Sequence, residues 1–399
     1  MSLRARLRRA ADGVAWVAFG AVGLVDYLAR GGRRPDFAPA DVRRILVIRL
    51  DLLGDLVFSV PAIRALRAAY PAAELTVLTL PYTRPLLALV PGVDRVLSLD
   101  VNQYRRPGGW RRLGEAVALV RTLRAARFDL CLALHGRPAG VLALLSGARY
   151  RVGYAAHAYP FAFNRPLPGR RYDRRRHEAE YCLDLVRAVG GEGAAVPALQ
   201  PPTVLARPAG LGSGERYLVI HPGASNGSAK RWSAAAWGRL ASRAAEALGW
   251  RVVVTGGDGE RDLVRAVVER AGPCAVPAVG APLLELAALL AGAEAVLAGD
   301  TGPLHLGAAL GRPVVGVYGP TDPAQTGPLA RRAAVVRRPV ACGPCYDLRS
   351  PADCKLPDRG TPCMRDLDVD TVLLALRGVL GDRDRVFHVK QASLGRSHG

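Results

Sequence analysis

The sequence predicts an α/β protein built on two doubly wound parallel sheets. Short uninterrupted runs of apolar and β-branched residues alternate with longer segments whose apolar residues recur at helical spacing. Such runs are typical of strands buried on both faces of a parallel sheet, and their alternation with helices builds that sheet. The strand, turn and helix that open at residue 45 are repeated from residue 217, so the 399 residues are expected to form two domains.

The first half begins with the predicted strand "ILVIRL" (45–50). It runs into "DLLGDLVFSVPAIRALRAAYP", where the apolar spacing predicts a helix that ends near Pro71. The predicted strands that follow are "ELTVLTL" (74–80), "VDRVLSL", "RFDLCLAL" and "RYRVGY", and "RLGEAVALVRTLRAA" is a predicted helix among them.

A stretch rich in proline and glycine at 198–215 predicts a linker. The predicted first domain is therefore 44–197 and the second is 216–380, with a tail at 381–399 that is expected to be disordered. The second domain continues with the strands "YLVIHPG", "RVVVTGG", "AVLAGD" and "PVVGVYG" and with the helices "AAAWGRLASRAAEALG", "RDLVRAVVERAG", "LLELAALLAGA" and "GPLHLGAALG".

Residues 1–43 form a separate basic and apolar segment. Its apolar run from Gly13 to Val25 is shorter than the ~20 residues that a membrane-spanning helix needs. Arginines on both sides of the run favour a helix that lies in the membrane interface against anionic headgroups. Two other interpretations are open: an amphipathic helix packed on the protein, and a signal peptide, for which no small-residue cleavage site is evident.

The formal net charge of +21 indicates attraction to an anionic partner. Neither a helix-turn-helix pattern nor an aromatic-rich basic stretch supports nucleic-acid binding. Seven cysteines are an odd number, which argues against a fully paired disulfide framework and favours a reducing cytoplasm.

Three turns at strand ends in the second half carry the residues best suited to chemistry. Glycines in these turns allow close approach of a ligand, and the turn at 299–302 precedes a helix whose N-terminal amides can bind phosphate. One of the turns contains a lysine, although the chain has only three lysines among its 55 lysines and arginines. The candidate residues are His221, Gly223, Ser225, Lys230, Glu260, Asp300, Thr301, Gly302 and His305.

Over roughly 44–380 the chain resembles glycosyltransferase family 9, the ADP-heptose:lipopolysaccharide heptosyltransferases and their relatives. The resemblance rests on "RLDLLGDLVFSVPAIRALRAAYP", "HPGASNGSAKRWSAAAW", "TGGDGER" and "GDTGPLHLGAALGRPVVGVYGPTDP". It implies a GT-B fold, in which an N-terminal acceptor domain and a C-terminal nucleotide-sugar domain face each other across a cleft. It also implies inversion at the anomeric carbon without a bound metal.

The resemblance assigns roles to matching positions. Asp55 matches the catalytic base, which would take the proton of the acceptor hydroxyl. Lys230 matches a lysine that contacts the donor phosphates, and Glu260 matches a glutamate on the nucleoside ribose. Asp300, Thr301, Gly302 and His305 match the sugar-diphosphate site.

Several of these positions have a structural alternative. Asp55 is a candidate N-cap of its helix. Asp51 is a second candidate on the acceptor side, since it would lie one helical turn from Asp55 and interact with it as a like charge. His305 and His221 could be structural hydrogen-bonding residues that do not contact a ligand.

A basic segment at 164–181 predicts acceptor recognition by Arg174, Arg175 and Arg176, because arginine suits carboxylates and phosphates. The alternative is a solvated loop. The cysteines Cys342, Cys345, Cys354 and Cys363 have spacing compatible with zinc or an iron-sulfur cluster, and with free or paired thiols otherwise. Asp-x-Asp spellings occur only beyond the predicted strands, where Asp368 or Asp370 is expected to cap a helix and not to bind magnesium.

The predicted function is transfer of a sugar, heptose from ADP-heptose, onto an anionic lipid-linked saccharide at the inner face of the cytoplasmic membrane. No cofactor and no nucleic acid are expected. Two alternatives remain open at this point. One is a GT-B glycosyltransferase with another nucleotide-sugar donor, and the other is a non-catalytic protein that binds a sugar nucleotide.

Overall fold

A computed structural model shows two compact units. It describes residues 20–28, 35–101, 113–157, 160–169, 176–224, 227–346, 354, 356, 360–381 and 387–390. Of these, the first unit takes the residues up to Leu52 and those from Ser59 to Ala195, and the second takes Leu53–Phe58 and the residues from Val196 onward. The predicted linker 198–215 contains neither helix nor strand.

The first unit contains a six-stranded sheet in the order β3-β2-β1-β4-β5-β6, with every pairing parallel. The apolar runs of β1 and β2 are buried as the sequence predicts. The strands are β1 Arg44–Arg49, β2 Glu74–Thr79, β3 Arg95–Ser98, β4 Leu130–Ala133, β5 Tyr150–Tyr154 and β6 Arg165–Leu167. The helices are α1 (residues 20–28), α2 Leu53–Ala69, α3 Leu113–Ala125, α4 Gly136–Leu145 and α5 Glu178–Arg187. The first six residues of α2, Leu53–Phe58, belong to the second unit.

The second unit contains a seven-stranded parallel sheet in the order β13-β12-β11-β10-β7-β8-β9. The strands are β7 Tyr217–His221, β8 Arg251–Gly256, β9 Ala275–Val279, β10 Ala295–Gly299, β11 Val314–Tyr318, β12 Ala333–Arg337 and β13 Phe387–Lys390. The helices are α6 Ala234–Leu248, α7 Arg261–Ala271, α8 Leu283–Ala291, α9 Gly302–Ala309, α10 Pro323–Thr326, α11 Pro362–Arg365 and α12 Val369–Gly381.

The prediction of two doubly wound parallel sheets is confirmed. Local sequence signals set the ends of several helices. The Ser233 hydroxyl accepts the N–H of Ala236 at the start of α6, and Gly249 ends this helix in the left-handed conformation. Asp368 accepts the N–H of Thr371 (2.9 Å) at the start of α12, as predicted.

Four strands, β6, β9, β12 and β13, were not predicted. Pro277 lies inside β9, and a proline argues against a strand in the middle of a sheet. The structure places β9 at a sheet edge, where the missing N–H can face outward. The expectation that the whole tail is disordered is wrong for 387–390, which form β13. This strand pairs with β12, whose main-chain N–H and C=O groups would otherwise be unpaired at the edge of the sheet.

Each sheet has one point at which the direction of strand addition reverses. In the first unit β2 and β3 are added on one side of β1, and β4 to β6 on the other. In the second unit β8 and β9 are added on one side of β7, and β10 to β13 on the other. Ligands of doubly wound sheets bind beside the carboxyl ends of the strands at this reversal, so the loops after β1 and β4 and after β7 and β10 are the places to examine.

Candidate functional site

Asp300 lies at the reversal point of the second sheet, directly after β10. Its carboxylate is buried and is surrounded by donors from four segments of the chain. Oδ1 lies 3.2 Å from His305 Nε2 and 3.3 Å from the Tyr318 hydroxyl, and Oδ2 accepts from the Thr326 hydroxyl (3.2 Å). The fourth donor is Lys230, whose Nζ lies 3.3 Å from Oδ2.

These contacts hold Asp300 in the ionised form. Burial by itself raises the pKa of the carboxyl, but the Lys230 ammonium and the His305 and Thr321 side chains outweigh it, so the pKa lies well below its ordinary value of 3.8. Because the carboxylate is ionised, the proton in the contact with His305 resides on Nε2. His305 Nδ1 is buried and has no hydrogen-bond partner among the described residues, which leaves it available to a bound ligand.

Lys230 ends a short 3-10 helix, Ser228–Lys230, and is 13% exposed at its side chain. Its ammonium also lies 3.5 Å from the main-chain oxygen of Asp300. A Cβ at Gly299 would lie 3.4 Å from the Lys230 carbonyl oxygen, so the two loops lie close together. The two turns in which the sequence places Lys230 and Asp300 therefore meet at one position.

His221 ends β7 and forms the second part of the site with Thr255 of β8. The Thr255 hydroxyl donates to the Ile220 carbonyl (3.4 Å), and His221 Nδ1 lies 3.1 Å from that hydroxyl, so Nδ1 carries the proton. Burial lowers the pKa of His221, against the opposing effect of Glu260, and the ring is mostly neutral near pH 7. His221 Nε2 is therefore an acceptor, and it lies 3.8 Å from the Glu260 carboxylate.

Glu260 is held in place by its own turn, because its Oε2 accepts the N–H of Gly257 (3.0 Å). A Cβ at Gly223 would overlap the Glu260 carboxylate. The sequence predicts that Gly223 allows close approach of a ligand. In the structure, the space beside Gly223 is occupied by the Glu260 carboxylate. His221, Gly223 and Glu260 form one group beside the Asp300 cluster, since β7 pairs with both β8 and β10.

Thr301 and Gly302 begin α9. Thr301 is the N-cap and makes no side-chain capping bond to the helix, because its hydroxyl donates to the Gly299 carbonyl (3.3 Å). His305 follows within the first turn of α9 and is buried. Ser225, the remaining predicted donor-site residue, lies outside the described residues.

The first unit carries a charged group at its own reversal point. Arg49 ends β1, is fully buried, and donates to Glu178 at the start of α5 (2.9 Å). Its Nε lies 3.2 Å from Oδ2 of Asp51. The other carboxylate oxygen of Asp51 lies 3.3 Å from Nε2 of His135, which follows β4. The predicted acceptor-side residue Asp51 is therefore held between an arginine and a histidine.

Asp55 lies in the first turn of α2, and the N-cap of that helix is Leu52. The interpretation of Asp55 as the N-cap is therefore wrong. Asp51 precedes the helix, so the four-residue spacing does not place the two carboxylates on one helical face, and that expectation is also wrong. The helical backbone begins at Leu53, two residues beyond Asp51. Asp51 lies before the helix and is paired with Arg49.

Of the three predicted acceptor arginines, Arg174 and Arg175 lie outside the described residues. Arg176 pairs with Asp184, and its guanidinium lies 4.9 Å from the centre of the Tyr181 ring. Burial alone raises the pKa of Asp184, yet Arg176 and Tyr154 hold it below its ordinary value. Arg176 thus has a structural role whether or not it also binds acceptor.

The four C-terminal cysteines are free thiols. Burial, together with the thiols of Cys345, Cys342 and Cys354, raises the pKa of Cys363 to about 11. Within the described part of the chain, no group of three or more histidine, cysteine or acidic side chains is arranged to hold a metal ion. Metal binding at these cysteines stays a prediction.

The sequence interpretation missed several residues of both groups. Arg49 interrupts an apolar strand run, and His135 directly follows one. A charged or titratable residue at the end of a predicted strand could therefore have identified both as candidate site residues. Thr255, Tyr318 and Thr326 carry no such signal, because hydroxyl residues are common in strands and turns.

The chain is similar in sequence and in structure to known proteins. The sequence profile of glycosyltransferase family 9 (heptosyltransferase) matches residues 116–356, which is more than half of the chain. Lipopolysaccharide heptosyltransferase 2 of Escherichia coli K12 is 27% identical over 317 residues, with 74% of this chain and 88% of that protein covered. Lipopolysaccharide heptosyltransferase 1 of Pseudomonas aeruginosa is 28% identical, with 76% and 86% covered.

A solved structure, that of the E. coli ADP-heptose lipopolysaccharide heptosyltransferase II, superposes with a TM-score of 0.65. The two sequences are 25% identical, and the match covers 84% of this chain and 98% of that chain.

Proposed function

The chain belongs to glycosyltransferase family 9, the heptosyltransferases, and from this premise we propose that it transfers heptose from ADP-heptose to a lipopolysaccharide-type saccharide with inversion at the anomeric carbon. The donor is taken from the E. coli relative, whose structure is that of an ADP-heptose heptosyltransferase. The observation that carries the proposal is the contact of Lys230 with Asp300 at the reversal point of the second sheet.

The Asp300 cluster suits a sugar diphosphate. Lys230 supplies a cation, and the positive N-terminal end of α9 begins next to it at Gly302, so negative charge is stabilised from two directions. His305 Nδ1 offers an acceptor for a sugar hydroxyl, and pairing it would remove the cost of an unsatisfied buried nitrogen, about 1–3 kcal/mol. His221 and Glu260 offer two acceptors for the hydroxyls of a ribose.

The proposed reaction needs a base and a stabilised leaving group. Asp55 takes the proton from the acceptor hydroxyl as its oxygen attacks the anomeric carbon from the face opposite the diphosphate. The bond from the anomeric carbon to the diphosphate oxygen breaks, and its electron pair leaves with ADP. Lys230 and the N-terminal end of α9 stabilise the charge that develops on that oxygen, so the reaction is proposed to proceed without a metal ion.

The acceptor side is assigned to the first unit. The group formed by Arg49, Asp51 and His135 offers a fixed carboxylate and an imidazole for a polyol. The basic segment at 164–181 offers charge for an anionic glycolipid.

Contact with the inner face of the cytoplasmic membrane is also proposed, through α1. Asp26 of this helix pairs with the buried Arg151 (2.6 Å), and Gly20 and Gly23 lie against Phe161. The large apolar residues of α1 are exposed, namely Val22, Leu24, Val25, Tyr27 and Leu28. Arginines flank the helix in the sequence, which suits anionic headgroups. Among the described residues, the helices are all too short or too polar to cross a bilayer.

A panel of nucleotide sugars with adenine, guanine, uracil and thymine bases tests the proposal by binding and by hydrolysis. ADP-heptose is expected to bind most tightly to the wild-type protein, and Lys230→Ala to weaken that binding at least tenfold. Preference for another base would support a different donor, and binding of none would refute the glycosyltransferase assignment. NMR of the product would show the inverted anomer, and transfer should persist in EDTA.

Lys230→Arg is a sharper variant than Lys230→Ala. Lysine is a compact charge on a flexible stem, whereas the planar guanidinium of arginine fixes one geometry. Reduced transfer is expected in the arginine variant. Full transfer would mean that charge alone is required.

A further inference from the structure

The Lys230 ammonium has an aromatic neighbour in addition to its carboxylate. Nζ lies 4.2 Å from the centre of the Tyr346 ring. A cation within about 6 Å of a ring centre is attracted by the negative face of the ring, with a gain of ~0.5–2 kcal/mol that grows as water is excluded. Because Lys230 is only 13% exposed, this contact lies toward the stronger end of that range.

The main chain fixes Tyr346 at this position. The N–H groups of Cys345 and Tyr346 both donate to the Pro320 carbonyl, at 3.0 and 2.9 Å. Pro320 follows β11, whose last residue, Tyr318, contacts Asp300. The loop that carries Tyr346 is thus tied to the same strand end as the Asp300 cluster, although 116 residues separate Tyr346 from Lys230 in the sequence.

The ring is uncharged at neutral pH. Burial raises the pKa of the Tyr346 hydroxyl above its ordinary value of 10, and the nearby Lys230 ammonium opposes this rise without cancelling it. Tyr346 therefore attracts the ammonium through its ring face, its hydroxyl accepts a hydrogen bond from Lys230, and it adds no negative charge. A second carboxylate at this position would hold the lysine equally well, but it would cancel the positive potential that an incoming diphosphate needs.

We propose that Tyr346 is a positioning residue for the donor diphosphate, whose ring face restrains the Lys230 ammonium against Asp300 and leaves its charge available to phosphate oxygens. The inference rests on the proposed function, in which Lys230 binds the diphosphate. The physical gain is preorganisation: a lysine that is already ordered loses less side-chain entropy when the ligand binds. Lys230 is one of several donors to the Asp300 carboxylate, which also accepts from His305 and Thr326.

The experiment is titration of ADP, the expected reaction product, into the wild type and four variants at low ionic strength, with Kd measured by calorimetry. The variants are Tyr346→Phe, Tyr346→Leu, Lys230→Ala and the double variant Tyr346→Leu with Lys230→Ala. Tyr346→Phe keeps the ring face and is expected to bind within twofold of wild type. Tyr346→Leu is expected to weaken binding by about 3- to 30-fold, because an unrestrained lysine loses up to ~2 kcal/mol of side-chain entropy when it binds phosphate.

The double variant decides whether Tyr346 acts through the lysine. It is expected to bind no more weakly than Lys230→Ala alone, since the ring has nothing to position once the ammonium is gone. In transfer assays Tyr346→Leu should raise the KM for ADP-heptose and leave the acceptor KM unchanged. Thermal unfolding checks that each variant is folded, and Tyr346→Met replaces the leucine variant should that one not fold.

Three results would overturn the inference: wild-type affinity in Tyr346→Leu, a loss in Tyr346→Phe as large as in Tyr346→Leu, or a further loss in the double variant beyond Lys230→Ala. The failure of the proposed function is a separate result, because wild-type protein would then not bind ADP at all. If wild type binds ADP and only Lys230→Ala weakens it, the donor assignment stands and the role of Tyr346 is refuted.

Discussion

Lys230 Nζ lies 3.3 Å from Asp300 Oδ2, although the two residues are 70 positions apart in the sequence. Both side chains are nearly buried, at 13% and 7% exposure. A buried ion pair is costly to break on one side only, because the remaining charge is left without compensation. The position of the Lys230 ammonium therefore depends on the Asp300 carboxylate and on the side chains that hold that carboxylate in place.

Asp300→Asn is expected to weaken ADP binding by about 10- to 100-fold, since charged hydrogen bonds contribute ~1.5–3 kcal/mol and each 1.4 kcal/mol is tenfold. The variant keeps the shape of the side chain and removes the charge that orients Lys230. Calorimetric Kd values measure the effect. Asp262→Asn is the matched control, because Asp262 is exposed and pairs with Arg265 at the surface. Equal affinity in the two variants would contradict the assigned role of Asp300.

Asp55→Asn is expected to abolish transfer while ADP binding is retained, because the amide cannot accept the proton of the acceptor hydroxyl. A fall in kcat of at least 100-fold is consistent with loss of a general base. Asp51→Asn should instead raise the acceptor KM, since Asp51 is bound to Arg49 and His135. Transfer that survives in Asp55→Asn and stops in Asp51→Asn would reverse the two roles.

The pH dependence of stability should include a contribution from His221. Burial lowers its pKa below the unfolded value of 6.5, so the unfolded chain binds the proton more readily. Its contribution to the free energy of unfolding is complete above pH 6.5 and is lost as the pH falls below that value. Urea titrations between about pH 7.5 and 5 should therefore show a smaller loss of stability in His221→Gln than in wild type. Identical slopes would show that His221 does not titrate in this way.

Replacing Arg174, Arg175 and Arg176 by glutamine should raise the acceptor KM several-fold more than the donor KM. The reason is the loss of positive charge for an anionic acceptor. Initial rates at varied concentrations of each substrate separate the two constants. Arg265→Gln is the control, since Arg265 is an exposed arginine on α7. Equal changes in both constants would argue for a solvated loop.

Glutamate in place of Leu24, Val25 and Leu28 should reduce binding to vesicles that contain anionic lipid by about tenfold or more. These side chains are 57%, 65% and 61% exposed, so folding should tolerate the changes. Co-sedimentation with anionic and with neutral vesicles measures binding. Leu374→Glu alters an equally exposed leucine, at 65%, on α12 of the second unit and should leave binding unchanged. Unaltered binding of the triple variant would contradict membrane contact through α1.

The central strands and their helices could be predicted from the sequence because each is a local pattern. β1, β2, β7 and β10 are mostly apolar, buried runs that are typical of a doubly covered sheet. Edge strands were harder to predict, since β9 contains Pro277 and β13 lies in a polar tail. At an edge, pairing with a neighbour outweighs local propensity, and a single sequence carries no record of that neighbour.

The sequence by itself determined the two parallel sheets and the three turns of the second domain. It also identified Lys230, Glu260, Asp300 and His305 as candidate site residues. These features depend on residue type and on short spacing along the chain. Only the tertiary structure decided their partners: Asp300 for Lys230, Thr255 for His221, His135 for Asp51 and Tyr346 for Lys230. Parallel strands that are distant in sequence bring their carboxyl ends together, so contacts at that edge follow strand order in the sheet and not order along the chain.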